Sequence, residues 1–161
     1  MKNIKIELKW ALIFIVVQLL WMVGEKAVGL HDTHIDQHAT YTMLFALPAI
    51  AMYVFALLDK RKNFYGGAMT YLQGLKAGII ITVIVTLLTP LAQYIISTVI
   101  TPDYFDNAIE YVVAHEQMTQ QEAEDYFNLR AYLWQAVFGA LLLGVVTSAV
   151  VAIFTRKKSN A

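Results

Sequence analysis

Cysteine is absent from all 161 residues. No disulfide can brace this chain, no thiol can attack a substrate, and no thiolate can hold zinc. Catalytic signatures are missing too. There is no GxSxG elbow, HExxH helix, phosphate-binding glycine loop or carboxylate pair on a recognisable scaffold. Thr119 and Ser97 have no base placed near them by sequence. An enzyme is therefore not expected, nor is a cofactor. Charge is absent where it would matter most for transport: no Asp, Glu, Lys, Arg or His falls deep within the long apolar stretches. Ion-coupled carriers and proton relays place ionisable groups there, so a carrier is disfavoured. Gln18, Gln93 and Gln135 are the strongly polar side chains of those stretches, and each is expected to bond to a neighbouring helix.

What is present is apolar length. Apolar residues make up 58% of the chain, and they gather into runs instead of recurring at the spacing of a water-facing helix or strand. Four uncharged runs stand out: Trp10–Gly24, Ala39–Leu58, Ala77–Pro102 and Ala131–Thr155. About 20 apolar residues suffice for a helix to cross the hydrocarbon core. The first run reaches that length if Lys9, Glu25 and Lys26 extend toward the headgroups. The expected fold is all-α: one domain over 1–161, a four-helix transmembrane bundle with spans near 8–28, 39–58, 74–100 and 131–155. The N-terminal stretch is expected to stay as a span and not to be cleaved as a signal peptide, since Glu7 and Lys9 fit such a signal poorly.

Net charge is zero, but its parts separate. Lys2, Lys5, Lys9, Lys60, Arg61, Lys62, Lys76, Arg156, Lys157 and Lys158 fall on one side of such a bundle, with only Glu7 and Asp59 as acids. The other side has Lys26 and Arg130 against ten acids. Bases flanking a span favour the cytoplasmic face. A multi-pass protein of the bacterial inner membrane follows, with both termini cytoplasmic. Trp10, Tyr65 and Tyr71 then lie near the inner interface, and Trp21, Tyr41, Tyr132 and Trp134 near the outer one. Lys60-Arg61-Lys62 and Arg156-Lys157-Lys158 are explained by topology, and no nucleic-acid partner is expected.

Between the third and fourth spans, residues 102–131 read as an external, periplasmic helical hairpin rich in acids. Thr101-Pro102 resembles an N-cap with proline at the first helical position, and Thr119-Gln120-Gln121-Glu122 matches a capping box. Nothing obvious interrupts helix after Glu122, so the fourth helix is expected to run from Gln120 to Thr155, roughly 54 Å at 1.5 Å per residue.

Small residues mark helix contacts in lipid, where close approach replaces the hydrophobic drive. Ala136, Ala140, Gly144, Ser148 and Ala152 recur every four residues in the last span, and Gly74, Gly78, Thr82 and Thr86 in the third. Gly74, Gly78, Ala140, Gly144 and Ser148 are the expected packing residues. Pro48 and Pro90 each remove a backbone donor inside a span.

The chemistry-bearing residues are histidines. His31, His34 and His38 fall at i, i+3 and i+7, one face of a helix if that stretch is helical, and are the candidate metal ligands. His115 and Glu116 lie on the same side and offer further ligands.

Gly66-Gly67, Thr70-Tyr71, Gly74-Leu75-Lys76-Ala77-Gly78, Pro102-Asp103-Tyr104-Phe105 and Met118-Thr119-Gln120-Gln121-Glu122 occur in an order and spacing of their own. Over nearly the whole chain they resemble a bacterial membrane family catalogued as domain of unknown function 4199. The resemblance implies a four-span inner-membrane protein and brings no catalytic residue with it. The expected function is a non-catalytic membrane protein. It would sit in the lipid bilayer and contact other membrane proteins or copies of itself through the bundle and the acidic hairpin. The alternative is a protein that binds a divalent metal or handles a small solute with external His and acidic residues.

Overall fold

A computed structural model describes residues 4–158. Lys2, one of the bases counted above, lies outside the described residues. Helix α1 spans Lys5–Ala27, α2 Ile35–Tyr41 and α3 Ala46–Asn63. A 3-10 turn, Thr42–Phe45, joins α2 to α3. Pro48 explains that turn: it has no N–H for the Leu44 carbonyl, and its ring crowds the preceding turn. Then come α4 (Tyr71–Ile95), α5 (Tyr104–Ala114), α6 (Gln120–Tyr126) and α7 (Leu129–Thr155).

Four helical segments are long and apolar enough to cross a membrane: Lys5–Ala27, Ile35–Asn63, Tyr71–Ile100 and Leu129–Thr155. Their outward faces are apolar as well. Leu20, Leu87, Leu142 and Phe154 are each more than 60% exposed, which suits lipid and not water.

Helices α4 and α7 form the closest pair in the bundle. Gly78 faces Ser148, Gly144 faces Thr82 and Gly74 faces Ala152, so a small residue on one helix always meets a side chain on the other. Ala140 lies further along α7, half-buried. A short polar seam runs through this contact. Tyr53 Oη lies 2.8 Å from Thr82 Oγ1, which lies 3.3 Å from Ser148 Oγ. Both hydroxyls also donate to the carbonyl one turn back, Thr82 to Gly78 and Ser148 to Gly144.

The starts of α1 and α4 and the ends of α3 and α7 meet at one end of the bundle. There Glu7 and Lys60 pair at 2.8 Å, both nearly inaccessible. Lys9 pairs with Asp59, which also accepts from Trp10 Nε1 at 2.7 Å. Arg61 donates to the Thr155 carbonyl at 2.8 Å, and Met69 and Lys157 exchange two backbone hydrogen bonds of 2.9 Å. This is the basic end.

At the opposite, acidic end the chain departs from the sequence-based expectations in three places. The last helix does not begin at Gln120. Phe127 and Asn128 break it, and Asn128 serves both sides of the break: its Nδ2 donates to the Glu124 and Asp125 carbonyls, and its Oδ1 accepts from Ala131 N–H. Asn is a strong N-cap, and here it starts α7 afresh. Thr101 does not cap α5. Its N–H and hydroxyl both bond to the Ile96 carbonyl, closing a wide turn at Ile96–Ile100, and α5 starts three residues later. Gln93 bonds within its own helix, to Ser97 Oγ at 3.0 Å, and not to a neighbour. Thr119 and Glu122 do form the capping box of α6.

Candidate metal centre

Helix α1 is closed by Gly29, two residues past its end, whose φ of +79° lies in the left-handed region that glycine enters freely. Gly29 N–H bonds to the Lys26 carbonyl and Leu30 N–H to the Glu25 carbonyl, both at 3.0 Å, a Schellman closure. A Cβ at Gly29 would lie 2.4 Å from Thr33 Oγ1, so the turn is crowded too. This tight reversal carries His31 back over the last turn of α1. The chain then enters α2 with His34 at its N-cap and His38 one turn further on.

The result is a cluster around one carboxylate. Glu25 Oε2 lies 3.1 Å from His31 Nε2 and 3.6 Å from His38 Nε2. Its other oxygen accepts from Trp21 Nε1 at 2.5 Å, and Thr42 also hydrogen-bonds the carboxylate. Glu25 and His31 are 3% and 4% exposed. One ligand atom from each of Glu25, His31 and His38 lies within 4.8 Å of the others. His31 Nδ1 is buried without a hydrogen-bond partner.

Residues of α5 close the cluster from the far side. Tyr104 stacks edge-on against His31, with ring centres 5.3 Å apart, and packs on His38 at 5.0 Å. Asn107 holds the His31 carbonyl at 2.9 Å. Lys26 turns away from the carboxylate next to it in sequence and donates to the Ile100 carbonyl. Burial pushes the Tyr104 phenol up from its ordinary value, so it stays a neutral hydroxyl.

Of the three histidines singled out by spacing, His31 and His38 come together and His34 does not. The helix starts only at Ile35, so the three never share a helical face. His34 is exposed, its Nδ1 3.2 Å from Thr33 Oγ1. His115 and Glu116 also stay away from the cluster: His115 Nδ1 lies 2.8 Å from the Tyr111 carbonyl, and Glu116 turns out at φ 54°. Sequence reasoning missed Glu25, which it sent toward the headgroups, and Tyr104. One signal was available. An acid in the last turn of a helix opposes the helix dipole, and such a residue generally has another partner.

Two imidazoles and a carboxylate are a nitrogen–oxygen donor set for a divalent transition metal. Four ligands at about 2.0–2.1 Å from zinc stand roughly 3.3–3.4 Å from one another in a tetrahedron. The two Glu25–imidazole distances, 3.1 and 3.6 Å, bracket that edge.

Fold and cluster together define a class: an all-helical bundle with four helices suited to a bilayer and a buried acid–imidazole cluster at one end. The chain belongs to the family described as Protein of unknown function (DUF4199), which it matches over residues 9–157. No curated protein matches it, and no solved structure does.

Proposed function

We propose that this chain is a non-catalytic, multi-pass protein of the bacterial inner membrane that holds a divalent transition metal at its periplasmic end. The observation that carries the metal reading is the Glu25 carboxylate, 3% exposed, whose ion-pair partners among the described residues are His31 and His38. Burying a carboxylate without a compensating charge is costly, and imidazole is charged only when protonated. A divalent cation would compensate that charge at neutral pH and would use the neutral rings as ligands.

The orientation draws on the charges. The basic end collects Lys9, Lys60 and Arg61, and bases flanking spans favour the cytoplasm. Both termini are then cytoplasmic, and α5 and α6 form the external hairpin. A chain without native cysteine suits single-cysteine labelling on whole cells. An impermeant reagent should reach Gln121→Cys and spare Ser159→Cys, and the reverse pattern would invert the topology.

Zinc titration of the metal-stripped protein in mild detergent, followed by calorimetry, tests the function. Saturable binding at micromolar concentration or tighter is expected, lost in Glu25→Gln and His31→Ala and kept in His34→Ala. Equal loss in all three variants, or no saturable binding by the unaltered chain, overturns the reading.

A second reading, contact with another membrane protein or a second copy, draws on the open cleft of about 650 Å3 between α5 and α6. Asp106, Glu110 and Glu124 line it beside Ile109 and Val113. Co-purification in mild detergent, compared between the unaltered chain and Ile109→Ala with Glu124→Ala, separates this reading from metal binding, because Glu25, His31, His38 and Tyr104 are left in place.

A further inference from the structure

Tyr104 connects the cluster to the start of α7. Its Oη lies 3.3 Å from His38 Nδ1 and 3.2 Å from Tyr132 Oη. A phenol has one proton to donate and lone pairs to accept with. These three groups therefore form one hydrogen-bond chain that can run in either of two directions.

In the first direction Tyr132 donates to Tyr104, and Tyr104 donates to His38 Nδ1. His38 then carries its proton on Nε2, facing Glu25 Oε2 at 3.6 Å. In the second, His38 carries the proton on Nδ1 and donates to Tyr104, which donates to Tyr132. Nε2 then turns a lone pair toward the carboxylate. Two electron-rich atoms at that separation repel unless a cation sits between them. The first direction suits the metal-free cluster and the second suits a metal-bound one.

We propose that Tyr104, backed by Tyr132, is a positioning residue that lets His38 switch tautomer as metal enters, accepting the hydrogen bond of the Nδ1–H that a ligating imidazole must place somewhere. This rests on the metal reading above. The protons balance without an added reagent. The Nε2 proton leaves to solvent, which reaches the 18% exposed His38 side chain. Nδ1 takes the proton that Tyr104 was donating, and solvent returns one to the phenol pair. The ring ends neutral, as it began. His31 has no such partner at Nδ1, so His38 is the ring whose tautomer a hydroxyl of a neighbouring helix can set. Because Tyr104 opens α5 and Tyr132 lies in the first turns of α7, metal entry would reverse a hydrogen bond between those two helices.

The test uses the full-length protein in detergent with 15N-labelled histidine, the metal being zinc. NMR should show His38 protonated at Nε2 without zinc and at Nδ1 with it. Tyr104→Phe keeps the ring stack and removes the acceptor, so zinc affinity should fall about 10- to 100-fold, the usual effect of losing a partner behind a ligand. Its melting temperature without zinc should also fall, because Tyr132 Oη and His38 Nδ1 each lose a partner. The deciding readout is therefore the His38 tautomer, which a purely structural role would not move. If Tyr104→Phe does not fold, the tautomer measurement on the unaltered chain and on Tyr132→Phe decides. An unchanged His38 tautomer on zinc binding, or unchanged zinc affinity in Tyr104→Phe, overturns the inference while leaving the metal reading intact. No zinc binding by the unaltered protein overturns both.

Discussion

Gly78 on α4 lies so close to Ser148 on α7 that a β-carbon added to it would stand 2.7 Å from the serine Cβ and 3.2 Å from its Cα. Backbone as well as side chain occupies that space, so no rotamer change could relieve the contact. Gly144 makes the reciprocal approach, with Thr82 Cγ2 2.5 Å from its would-be Cβ. The two helices touch because each has hydrogen where the other has a side chain.

Alanine is therefore enough to test the contact. Gly78→Ala and Gly144→Ala should each lower stability by about 1–3 kcal/mol, the usual cost of overpacking. Gly139 lies on α7 with nothing within 4 Å of its would-be Cβ, so Gly139→Ala should be neutral or slightly stabilising through helix propensity. Thermal unfolding in detergent would compare them. Equal melting temperatures for all three variants would remove the close approach from the account of stability.

At the basic end, Glu7 and Lys60 are almost wholly inaccessible and face one another at 2.8 and 3.0 Å. Removing one partner of a buried pair costs about 3–5 kcal/mol, whereas replacing both partners with apolar residues is often neutral. Glu7→Gln should thus be far more harmful than the double change Glu7→Leu with Lys60→Met. If the double variant unfolds as early as the single one, the pair has some role beyond mutual compensation.

The cap of α6 makes a pH-dependent contribution whose sign is fixed. The Thr119 backbone N–H and hydroxyl donate to Glu122 and hold its carboxyl below its ordinary value. A depressed carboxyl pKa stabilises the folded state fully above the unfolded value, about 4.3, and that contribution fades as pH falls through the lower folded one. Order in α6, followed by amide chemical shifts, should be constant from pH 7 to 5 and decline below about pH 4. Thr119→Val keeps the backbone donor and should weaken this dependence, whereas Glu122→Gln should erase it. Loosening that is already complete at pH 5 would contradict the cap as its cause.

How much of this was legible depended on the range of each interaction. Run length alone marked four apolar helices, and the Thr119–Glu122 box was readable because its partners stand three residues apart. Asn128 was as local a signal and was passed over, because helix-favouring residues on both sides hid a cap that ends one helix and begins the next. His31 and His38 were readable as ligand types. Helical spacing then added His34, since periodicity assumed a helix through residues that Gly29 holds in a turn.

The sequence by itself determined that the helices suit a bilayer, that bases and acids separate toward opposite ends, and that small residues recur where α4 and α7 meet. Those properties depend on residues a few positions apart or on simple sums along the chain. Tertiary structure alone decided which charges leave the surface. Glu7 and Lys60 are 53 residues apart and Tyr104 and His38 66 apart, and no local pattern couples such positions. Glu25 has the sharpest change of role. As a residue in a list it is an acid at the end of an apolar run, bound for water. Folded, it lies under a turn and among three helices that exclude water, and there a carboxylate needs the imidazoles around it.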